Sequence, residues 1–244
     1  MHAGELAHRL GPWWRAAVDL LFPPRCQVCG VLEEFPVCGA CWTSFSRIAP
    51  PVCQICGRPL RGPADLVFTC VPCRGRRHAV RVRALGRYEG RLRDAVHALK
   101  YRRKLALAEP LGRALADVVI RHGLLEGVDA VVPVPLHPRR QAHRGFNQAE
   151  ELAGALGRSL ARPVLGALVR TRDTPSQTEL AEEERRRNVR GAFAVRSPVV
   201  GLRVLLVDDV VTTGSTLREC AAALQAAGAA GVVAAAVAMT VLDP

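Results

Sequence analysis

The C-terminal half of the chain alternates short apolar runs with segments whose apolar residues recur every three or four positions. Runs of the first kind are typical of strands buried on both faces, and the second spacing is typical of amphipathic helices. Four segments predict strands: DAVVPVPL (129–136), RPVLGALVR (162–170), RVLLVDD (203–209) and VVAAAVAMTVL (232–242). Two predict helices: LALAEPLGRALADVVIRHGLL (105–125) and TLRECAAALQAAG (216–228). A further helix is predicted to open at Gln148 with Asn147 as its N-cap. The alternation across residues 128–244 predicts a mostly parallel α/β sheet flanked by helices.

Two other segments have weaker patterns. WWRAAVDLLF (13–22) has the length and apolar spacing of a short helix, which Pro23 and Pro24 end. We expect this helix to dock on a neighbouring surface, and a membrane-surface anchor is the alternative. TPSQTELAEEERRRNVRGAFAV (174–195) is polar and heavily charged, so it predicts a loop with a charged helical turn that ends in a short strand.

The charge of the chain is strongly positive and comes almost entirely from arginine. The formal net charge is +12 over 244 residues, and Lys100 and Lys104 are the only lysines. Such a balance favours a polyanionic partner, either nucleic acid or a phosphorylated substrate. Residues 81–104 hold nine basic residues against two acidic ones. We interpret that segment as a basic connector, for which a solvated face is the common structural explanation.

No segment has the pattern of a secretory leader or a membrane span. The opening residues MHAGELAHRL lack a basic stretch that leads into an apolar core, and the tail AGAAGVVAAAVAMTVL (227–242) is short and interrupted by glycine. The sequence therefore predicts a cytoplasmic protein in a reducing compartment.

Eight of the nine cysteines form four Cys-x-x-Cys pairs. In a reducing compartment, paired thiols hold metal more often than they form disulfides, although disulfides remain an alternative. Four thiolates per ion give two structural Zn²⁺ sites with closed coordination shells. The favoured arrangement is sequential: Cys26, Cys29, Cys38 and Cys41 for one site, and Cys53, Cys56, Cys70 and Cys73 for the other. A cross-braced arrangement, in which the first pair joins the third, stays open. The unpaired Cys220 is expected to be a small buried hydrophobe.

VLLVDDVVTTGST (204–216) places two carboxylates between an apolar strand and a hydroxyl-rich turn. Backbone N–H groups and a helix N-terminus in such a turn favour an anion, and a capping-box spacing between Thr216 and Glu219 marks the helix start after Gly214. Two adjacent carboxylates repel a bare phosphate, so the ligand must also offer hydroxyls or a metal ion. A ribose 5-phosphate meets both demands, with its hydroxyls and Mg²⁺ on Asp208 and Asp209. The predicted phosphate-binding residues are Thr212, Thr213, Gly214, Ser215 and Thr216.

A second segment, VVPVPLHPRRQAHRGFNQ (131–148), combines a strand, a proline turn, basic residues and a helix start, which suits a second anion beside the first. Its candidate residues are Pro135, Arg139, Arg140, Arg144 and Gly145.

These motifs resemble type I phosphoribosyltransferases, in which VLLVDDVVTTGST corresponds to the phosphoribosyl pyrophosphate (PRPP) motif and residues 131–148 to the pyrophosphate loop. The resemblance implies that residues 174–193 form a mobile loop that closes over PRPP, with Gln177, Arg185 and Asn188 as candidate contacts.

Together, DLLFPPRCxxCG, VPVPLHPxRxxxRGFNQ, TPSQTxLxxxERRRNVRGAF and VLLVDDVVTTGST resemble the ComF family, whose members are associated with DNA uptake in naturally competent bacteria. The resemblance implies a type I phosphoribosyltransferase fold with a small N-terminal zinc-ribbon module. The expected division is residues 1–25 as a lead-in helix, 26–77 as the cysteine-rich module and 78–244 as the phosphoribosyltransferase-like domain.

The implied activity is transfer of a phosphoribosyl group from PRPP to an unidentified acceptor with release of pyrophosphate. Catalysis would rest on positioning and on charge stabilisation by Mg²⁺, Asp208, Asp209 and the arginines, without a covalent nucleophile. No residue stands out as a general base.

Two alternatives come from other functional classes. One is a noncatalytic PRPP sensor that handles single-stranded DNA or serves the DNA-uptake machinery, and the other is a DNA-binding adaptor with a vestigial ribose site. Arginines beside the last cysteine pair and a few aromatic residues would then contact bases. These residues are Arg74, Arg76, Arg77, Trp42, Phe45, Phe68 and Tyr88. The sequence indicates neither the acceptor nor the oligomeric state.

Overall fold

The computed structural model describes residues 23–32, 34–63, 68–75, 80–172 and 190–241, so the helix predicted at 13–22 lies outside the described residues. The strands are β1 (Arg81–Arg87), β2 (Ala130–Pro133), β3 (Leu168–Arg170), β4 (Phe193–Val195), β5 (Arg203–Val211) and β6 (Gly231–Met239). The helices are α1 (Gly39–Thr43), α2 (Gly90–Tyr101), α3 (Ala108–Arg121), α4 (Pro138–Arg144), α5 (Gln148–Leu160) and α6 (Ser215–Ala226). Short 3-10 turns occupy Val71–Cys73 and Leu105–Leu107.

Four parallel strands form the central sheet, in the order β1-β6-β5-β2. The two longest strands, β5 and β6, lie at its centre and are apolar along most of their length, as is typical of strands covered on both faces. The predicted parallel α/β sheet is therefore confirmed. β3 and β4 form a separate antiparallel pair.

The sheet separates two apolar cores. On one face, α2, α3 and α5 pack against alternate residues of the central strands, such as Leu205 and Val207. On the other face, α6 and the β3–β4 pair pack against the intervening residues Leu206 and Ala234. In α6 the residues that face the sheet, Leu217, Cys220 and Leu224, are buried, and Cys220 is 0 % exposed. The expectation of a buried, structural Cys220 is confirmed.

The interpretation of residues 81–104 as a connector is wrong, because they form β1 and α2. The apolar residues Leu92, Ala95, Val96 and Leu99 recur at helical spacing and are each 0 % exposed. The arginines between them face outward and hide this spacing in the sequence. The segment is thus an edge strand and a core helix whose outer surface carries the charge.

The strand predicted at 162–170 is shorter than expected. Only β3 is a regular strand, and Val164 makes one isolated parallel bridge to Val131 of β2. Pro163 has no N–H to donate and contributes only its carbonyl oxygen, which accepts from Val131 N at 2.9 Å.

The cysteine-rich segment folds as two units, the first cysteine module (residues 26–41) and the second cysteine module (residues 53–73). The chain between them pairs with the outer edge of β1, where Arg87 N donates to Ser46 O at 2.7 Å. The second module also docks on this strand, because Val82 N donates to Ile55 O at 2.7 Å. The chain between the modules and the second module thereby cover a sheet edge that would otherwise present unpaired backbone groups.

In the part of the chain that the structure describes, no helix is both long and apolar enough to cross a membrane.

Helices α3 and α5 approach closely at Gly112, and this contact gives a stability prediction. A Cβ atom at Gly112 would lie 2.5 Å from Ala155 Cβ and 3.0 Å from Leu152 O. We expect Gly112→Ala to lower the free energy of unfolding by about 1–3 kcal/mol, because the helices must move apart. Gly154→Ala is the matched control: its Cβ would meet only the end of the Arg158 side chain at 3.6 Å. That variant should be neutral or stabilising by up to about 1 kcal/mol, since alanine is the better helix former. Urea unfolding of both variants checks this, and equal effects would contradict the packing argument.

Candidate functional site

The two carboxylates at the end of β5 point to opposite faces of the sheet. Asp208 continues the alternation of Val204 and Leu206 toward α6, and Asp209 continues that of Leu205 and Val207 toward α2. Asp209 N donates to Asp208 Oδ1 at 2.8 Å, and both side chains line one cleft at the carboxyl end of the sheet. Both carboxylates therefore reach the cleft, and Asp209 is the more buried of the two.

Lys100, in the last turn of α2, pairs with the deeper carboxylate. Its Nζ atom lies 2.8 Å from Asp209 Oδ1, and the two side chains are 19 % and 10 % exposed. Burial alone would lower the pKa of Lys100, but the carboxylates of Asp209 and Asp208 outweigh it and raise this pKa. The sequence analysis did not select Lys100, although a lysine in a chain that otherwise uses arginine was an available signal.

The negative charge of Asp208 is only partly compensated by its neighbours. Its burial and the nearby Asp209 carboxylate raise the pKa of Asp208 to about 7, and Lys100, the Asp209 N–H and Arg170 offset this only in part. A cation or a hydroxyl donor at Asp208 would stabilise its charged form. The carboxylate pair thus fits a polyhydroxylated or Mg²⁺-bound ligand.

The turn that follows has the geometry of an anion cradle. Gly214 adopts a left-handed conformation (φ +70°), which lets α6 begin directly behind it. Thr213 Oγ1 lies 2.8 Å from Ser215 Oγ and accepts from Ser215 N at 3.3 Å. Arg218, one turn into α6, donates to Thr213 O at 2.8 Å and brings a positive charge to the turn. The sequence analysis did not name Arg218.

The predicted helix start after Gly214 is confirmed, but the capping box is not formed. The N-cap of α6 is Gly214, which has no side chain to offer, and Glu219 Oε2 accepts from Gly191 N at 2.9 Å. The carboxylate fixes the segment that leads into β4, a long-range contact that no local spacing predicts.

The segment predicted to bind a second anion forms a short helix, α4, rather than an open loop. Pro135, Arg140 and Arg144 line the cleft with the carboxylates, whereas the Arg139 side chain is exposed and is not among the cleft-lining residues. Gly145 ends α4 in a left-handed conformation (φ +85°), and a Cβ there would meet Arg103 Nη2 at 2.8 Å. Its role in the fold is that of a helix C-cap against Arg103.

Helix α5 begins inside the cleft. The predicted cap is present, since Asn147 Oδ1 accepts from Ala149 N at 3.1 Å and Asn147 Nδ2 donates to Val134 O at 3.1 Å. The next residue, Gln148, is 1 % exposed and its Oε1 accepts from Arg144 Nη1 at 2.6 Å. Among the described residues, Gln148 Nε2 has no hydrogen-bond partner, although it is buried. This buried amide donor can therefore hydrogen-bond a water or a ligand atom that enters the cleft.

Arg170, at the end of β3, is a further residue that the sequence analysis missed. It is 6 % exposed, lies over the Phe193 ring at 5.6 Å and lines the cleft opposite the carboxylates. The predicted loop contacts Gln177, Arg185 and Asn188 lie outside the described residues, as do Arg76 and Arg77.

The proposed base-stacking role is wrong for Phe45, which is 4 % exposed in the core with its ring 5.3 Å from Trp42. Tyr101, which was not predicted, is 55 % exposed at the mouth of the cleft beneath Arg144.

The cysteines assemble in the sequential arrangement rather than the cross-braced one. Each module brings four sulfur atoms to within 4.8 Å of one another. The Cys29 and Cys38 sulfurs lie 3.6 Å apart, and those of Cys56 and Cys70 lie 3.7 Å apart. A tetrahedral Zn²⁺ with bonds of about 2.3 Å separates its ligands by about 3.8 Å, so both sets fit the ion.

Backbone N–H donors stabilise the thiolate form of two of these cysteines, Cys26 and Cys53. Burial raises the pKa of Cys26 and Cys53, but N–H donors outweigh it and lower the values to about 6 and about 7. Cys38 N donates to Cys26 Sγ at 3.3 Å, and Cys70 N donates to Cys53 Sγ at 3.4 Å.

Comparison with known proteins matches both parts of the chain. The double zinc ribbon domain matches residues 17–76, and the phosphoribosyl transferase domain matches residues 143–243. The DNA utilization protein YhgH of Escherichia coli K12 is 40 % identical over 149 residues, and competence protein F of Haemophilus influenzae is 36 % identical over 152 residues. Each alignment covers 59 % of this chain and 66 % of the relative, just under two thirds of the relative's length.

The chain belongs to the ComF family. Competence protein ComFC of Streptococcus pneumoniae, a further relative, is 35 % identical over 99 residues, which covers 40 % of this chain and 42 % of that protein. The expected type I phosphoribosyltransferase fold with an N-terminal zinc ribbon is confirmed, and the ribbon carries two four-cysteine sites for structural zinc.

Solved structures with a similar fold include the glutamine PRPP amidotransferase from B. subtilis (23 % identity, TM-score 0.37, 55 % of this chain and 27 % of that one). Another is the purine phosphoribosyltransferase from Pyrococcus horikoshii (18 % identity, TM-score 0.34, 57 % and 78 %).

Zinc content distinguishes the sequential arrangement from the cross-braced one. We expect two Zn²⁺ per wild-type chain, one in Cys29→Ser with Cys41→Ser, and none in Cys29→Ser with Cys56→Ser, because the second double variant disrupts both sites. Cys220→Ala is the control and should keep both ions. Elemental analysis of the monodisperse protein measures the content. Complete loss of zinc from the first double variant would show that its two cysteines serve different ions.

The raised pKa of Asp208 predicts how the stability of the folded chain changes with pH. Its folded pKa of about 7 lies above the ordinary value near 3.9, so its contribution to stability is present below about pH 4 and is lost as the pH rises to about 7. Without Mg²⁺ and ligand, Asp208→Asn should therefore gain stability relative to wild type across this range, reaching roughly 1–4 kcal/mol near pH 8. Unfolding midpoints from pH 4 to 8 measure the difference. A flat profile for Asp208→Asn would disprove the raised pKa of Asp208.

Proposed function

We propose that this chain binds PRPP with Mg²⁺ in the cleft between β5 and β2 and transfers its phosphoribosyl group to an acceptor, with release of pyrophosphate. One observation carries the proposal: a carboxylate pair lies between the hydroxyl-rich turn of residues 212–216 and the basic helix α4, and it shares a single cleft with Arg140 and Arg144 of that helix. A ligand with hydroxyls in its middle and phosphates at both ends matches this order.

The turn of residues 212–216 would bind the 5-phosphate. Its hydroxyls, the first N–H groups of α6 and the positive end of that helix are all available at one place, and Arg218 adds a charge beside them. A small cavity between this turn and Asp208 connects the phosphate position to the carboxylates.

Asp208 and Asp209 would accept hydrogen bonds from the ribose hydroxyls. Lys100 holds the Asp209 carboxylate in place and neutralises one of the two charges. The carboxylate of Asp208 would then be a ligand for Mg²⁺, which prefers carboxylate and phosphate oxygens. When bound, the ion would neutralise part of the negative charge of the pyrophosphate. The raised pKa of Asp208 in the absence of a cation agrees with this role.

Arg140, Arg144 and Gln148 would hold the pyrophosphate at the other end of the cleft. Arg144 is oriented by its hydrogen bond to Gln148 Oε1, which leaves the Gln148 amide N–H₂ directed at an acceptor such as a phosphate oxygen. These donors would stabilise the negative charge that develops on the leaving group as its bond to the sugar breaks.

The name of each relative suggests a cellular setting. DNA utilization protein YhgH and competence protein F are 40 % and 36 % identical to this chain over the aligned residues, so we place the proposed activity in DNA uptake or DNA utilization. The basic residues Arg102, Arg103 and Lys104 beside the exposed Tyr101 favour single-stranded DNA as a second partner.

Calorimetry with PRPP and Mg²⁺ tests the proposed site. Asp208→Asn with Asp209→Asn should weaken PRPP binding at least about 100-fold, because two charge-assisted hydrogen bonds are lost. Asp117→Asn is the control: it converts an exposed carboxylate outside the cleft to an amide and should bind PRPP as wild type does.

Equal affinity in the double variant would refute the ribose role of the carboxylates, and an absence of binding in wild type would refute the proposed function. PRPP binding that alters affinity for single-stranded DNA, with no pyrophosphate formed from any base or nucleotide, would favour the noncatalytic sensor instead.

A further inference from the structure

Lys100 supplies a positive charge to the carboxylate pair from inside the protein. Two adjacent carboxylates at the end of a strand offer the oxygen ligands that hard divalent cations prefer. The Lys100 ammonium lies beside them, with Nζ 2.8 Å from Asp209 Oδ1 and with the two side chains 19 % and 10 % exposed. The chain therefore places a cation of its own where the acidic pair would otherwise attract a metal ion.

The ammonium is held at the pair because the end of α2 is held against α4. The Arg144 guanidinium lies 5.2 Å from the centre of the Tyr101 ring, directly after Lys100 in the chain. Arg103 adopts a left-handed conformation (φ +53°), and its guanidinium lies beside Gly145 at the end of α4. That conformation is uncommon for a residue other than glycine and persists only where the surroundings enforce it. The turn after α2 thus fixes the helix end that carries Lys100.

The ammonium changes the charge that a metal ion meets in the cleft. Two carboxylates with one ammonium carry a single net negative charge, and Arg140, Arg144 and Arg170 also line the cleft. Mg²⁺ gives up its water reluctantly and usually binds through carboxylates together with phosphates of a substrate. A pair with one charge already neutralised attracts the free ion less than two unpaired carboxylates do.

A lysine suits this role better than the arginine that the chain uses elsewhere. Lys100 is one of two lysines among 34 basic residues. A guanidinium binds both oxygens of a carboxylate side by side, whereas an ammonium is a compact point charge. At Asp209 the ammonium contacts Oδ1. It can therefore neutralise the carboxylate while the second oxygen stays accessible to a hydroxyl of the ligand.

We propose that Lys100 is a positioning residue that keeps free divalent metal out of the carboxylate pair, so that Mg²⁺ enters the cleft only together with PRPP. The hydroxyl and pyrophosphate oxygens of PRPP add the ligands and the negative charge that the pair alone does not offer. Metal and PRPP then bind with positive coupling, and each raises the affinity for the other by the same factor. This inference rests on the proposed function and adds an order of binding to it.

The order of binding has a consequence for ligand selection. A metal ion on the empty pair would convert the acidic centre of the cleft into an anion site, which would hold phosphate groups without a sugar. With Lys100 in place, Asp208 and Asp209 stay available as hydrogen-bond acceptors. The cleft then favours a ligand that brings hydroxyls as well as phosphates.

Calorimetry with MgCl₂ alone, on the zinc-loaded, full-length chain without PRPP, tests the proposal. Lys100→Met removes the positive charge. Lys100→Gln also removes it but keeps an N–H donor for Asp209, so it replaces Lys100→Met if that variant does not fold. Lys100→Gln with Asp209→Asn restores the single negative charge of the wild-type pair. Arg121→Gln is the matched control: it removes an exposed cation near the start of β1, where His122 O accepts from Arg81 Nη2 at 3.3 Å, at the opposite end of the sheet from the cleft.

We expect free Mg²⁺ to bind the two single Lys100 variants at least about tenfold more tightly than wild type, because a unit positive charge a few ångströms from a divalent ion is removed. The double variant should stay within about threefold of wild type, and Arg121→Gln within about twofold. A gain of affinity of this kind does not arise from a damaged fold. A parallel titration with PRPP present should show that PRPP raises the Mg²⁺ affinity of wild type at least about tenfold.

Equal affinity of wild type and the Lys100 variants for free Mg²⁺ would overturn this inference, and PRPP binding by the same wild-type protein would leave the proposed function standing. A matching gain in Arg121→Gln would also overturn it, because the effect would then come from the net charge of the chain. Failure of wild type to bind PRPP with Mg²⁺ would overturn the proposed function, and the order of binding with it.

Discussion

Two carboxylates at the end of a buried parallel strand face one ammonium group, and the rest of the site is arranged around that imbalance. Lys100 neutralises Asp209, whereas Asp208 stays costly to ionise. Arg140, Arg144 and Arg170 also line the cleft, and Arg170 offsets the raised pKa of Asp208 only in part. A ligand that brings only phosphate would meet the carboxylates, and one that brings only hydroxyls would leave the arginines unused. The ligand that we propose, a sugar with phosphates at both ends, would meet both demands.

The sheet order explains why this imbalance can be tolerated. β5 lies inside the sheet, with β6 and β2 on its two sides, and its residues 204–207 pair with both neighbours. Beyond Val207 the strand pairs with β6 alone, so the carboxylates lie where the β2 side opens into the cleft. The outer edge of β1 is covered by the chain between the cysteine modules and by the second module. Because β1 pairs with β6 and β6 with β5, the sheet connects the second module to the strand that carries the carboxylates.

Features encoded by neighbouring residues could be predicted from the sequence. The apolar runs of β5 and β6, the Asn147 cap, the start of α6 and the cysteine spacing depend on contacts within a few positions. The places of Lys100 and Arg170 in the cleft were missed, because both reach it from elements far away in the chain, and the rarity of lysine was the only local signal for Lys100. The strand and helix at 81–104 were missed because outward-facing arginines dominate a segment whose buried face is apolar. Glu219 likewise prefers a partner 28 residues away to its own helix end.

A metal-stabilised module suits the position that it occupies. A unit of about twenty residues buries too little apolar surface to hold a fixed shape, whereas four thiolate bonds to Zn²⁺ supply that stability without a core of its own. Its surface residues are then free to vary around fixed cysteines. In the second module Ile55, one of the two residues between Cys53 and Cys56, bonds β1 through its carbonyl oxygen and lines the pocket beside the turn of residues 212–214. A closed zinc shell thus stabilises one wall of this pocket, although the ion itself has no open position for a ligand.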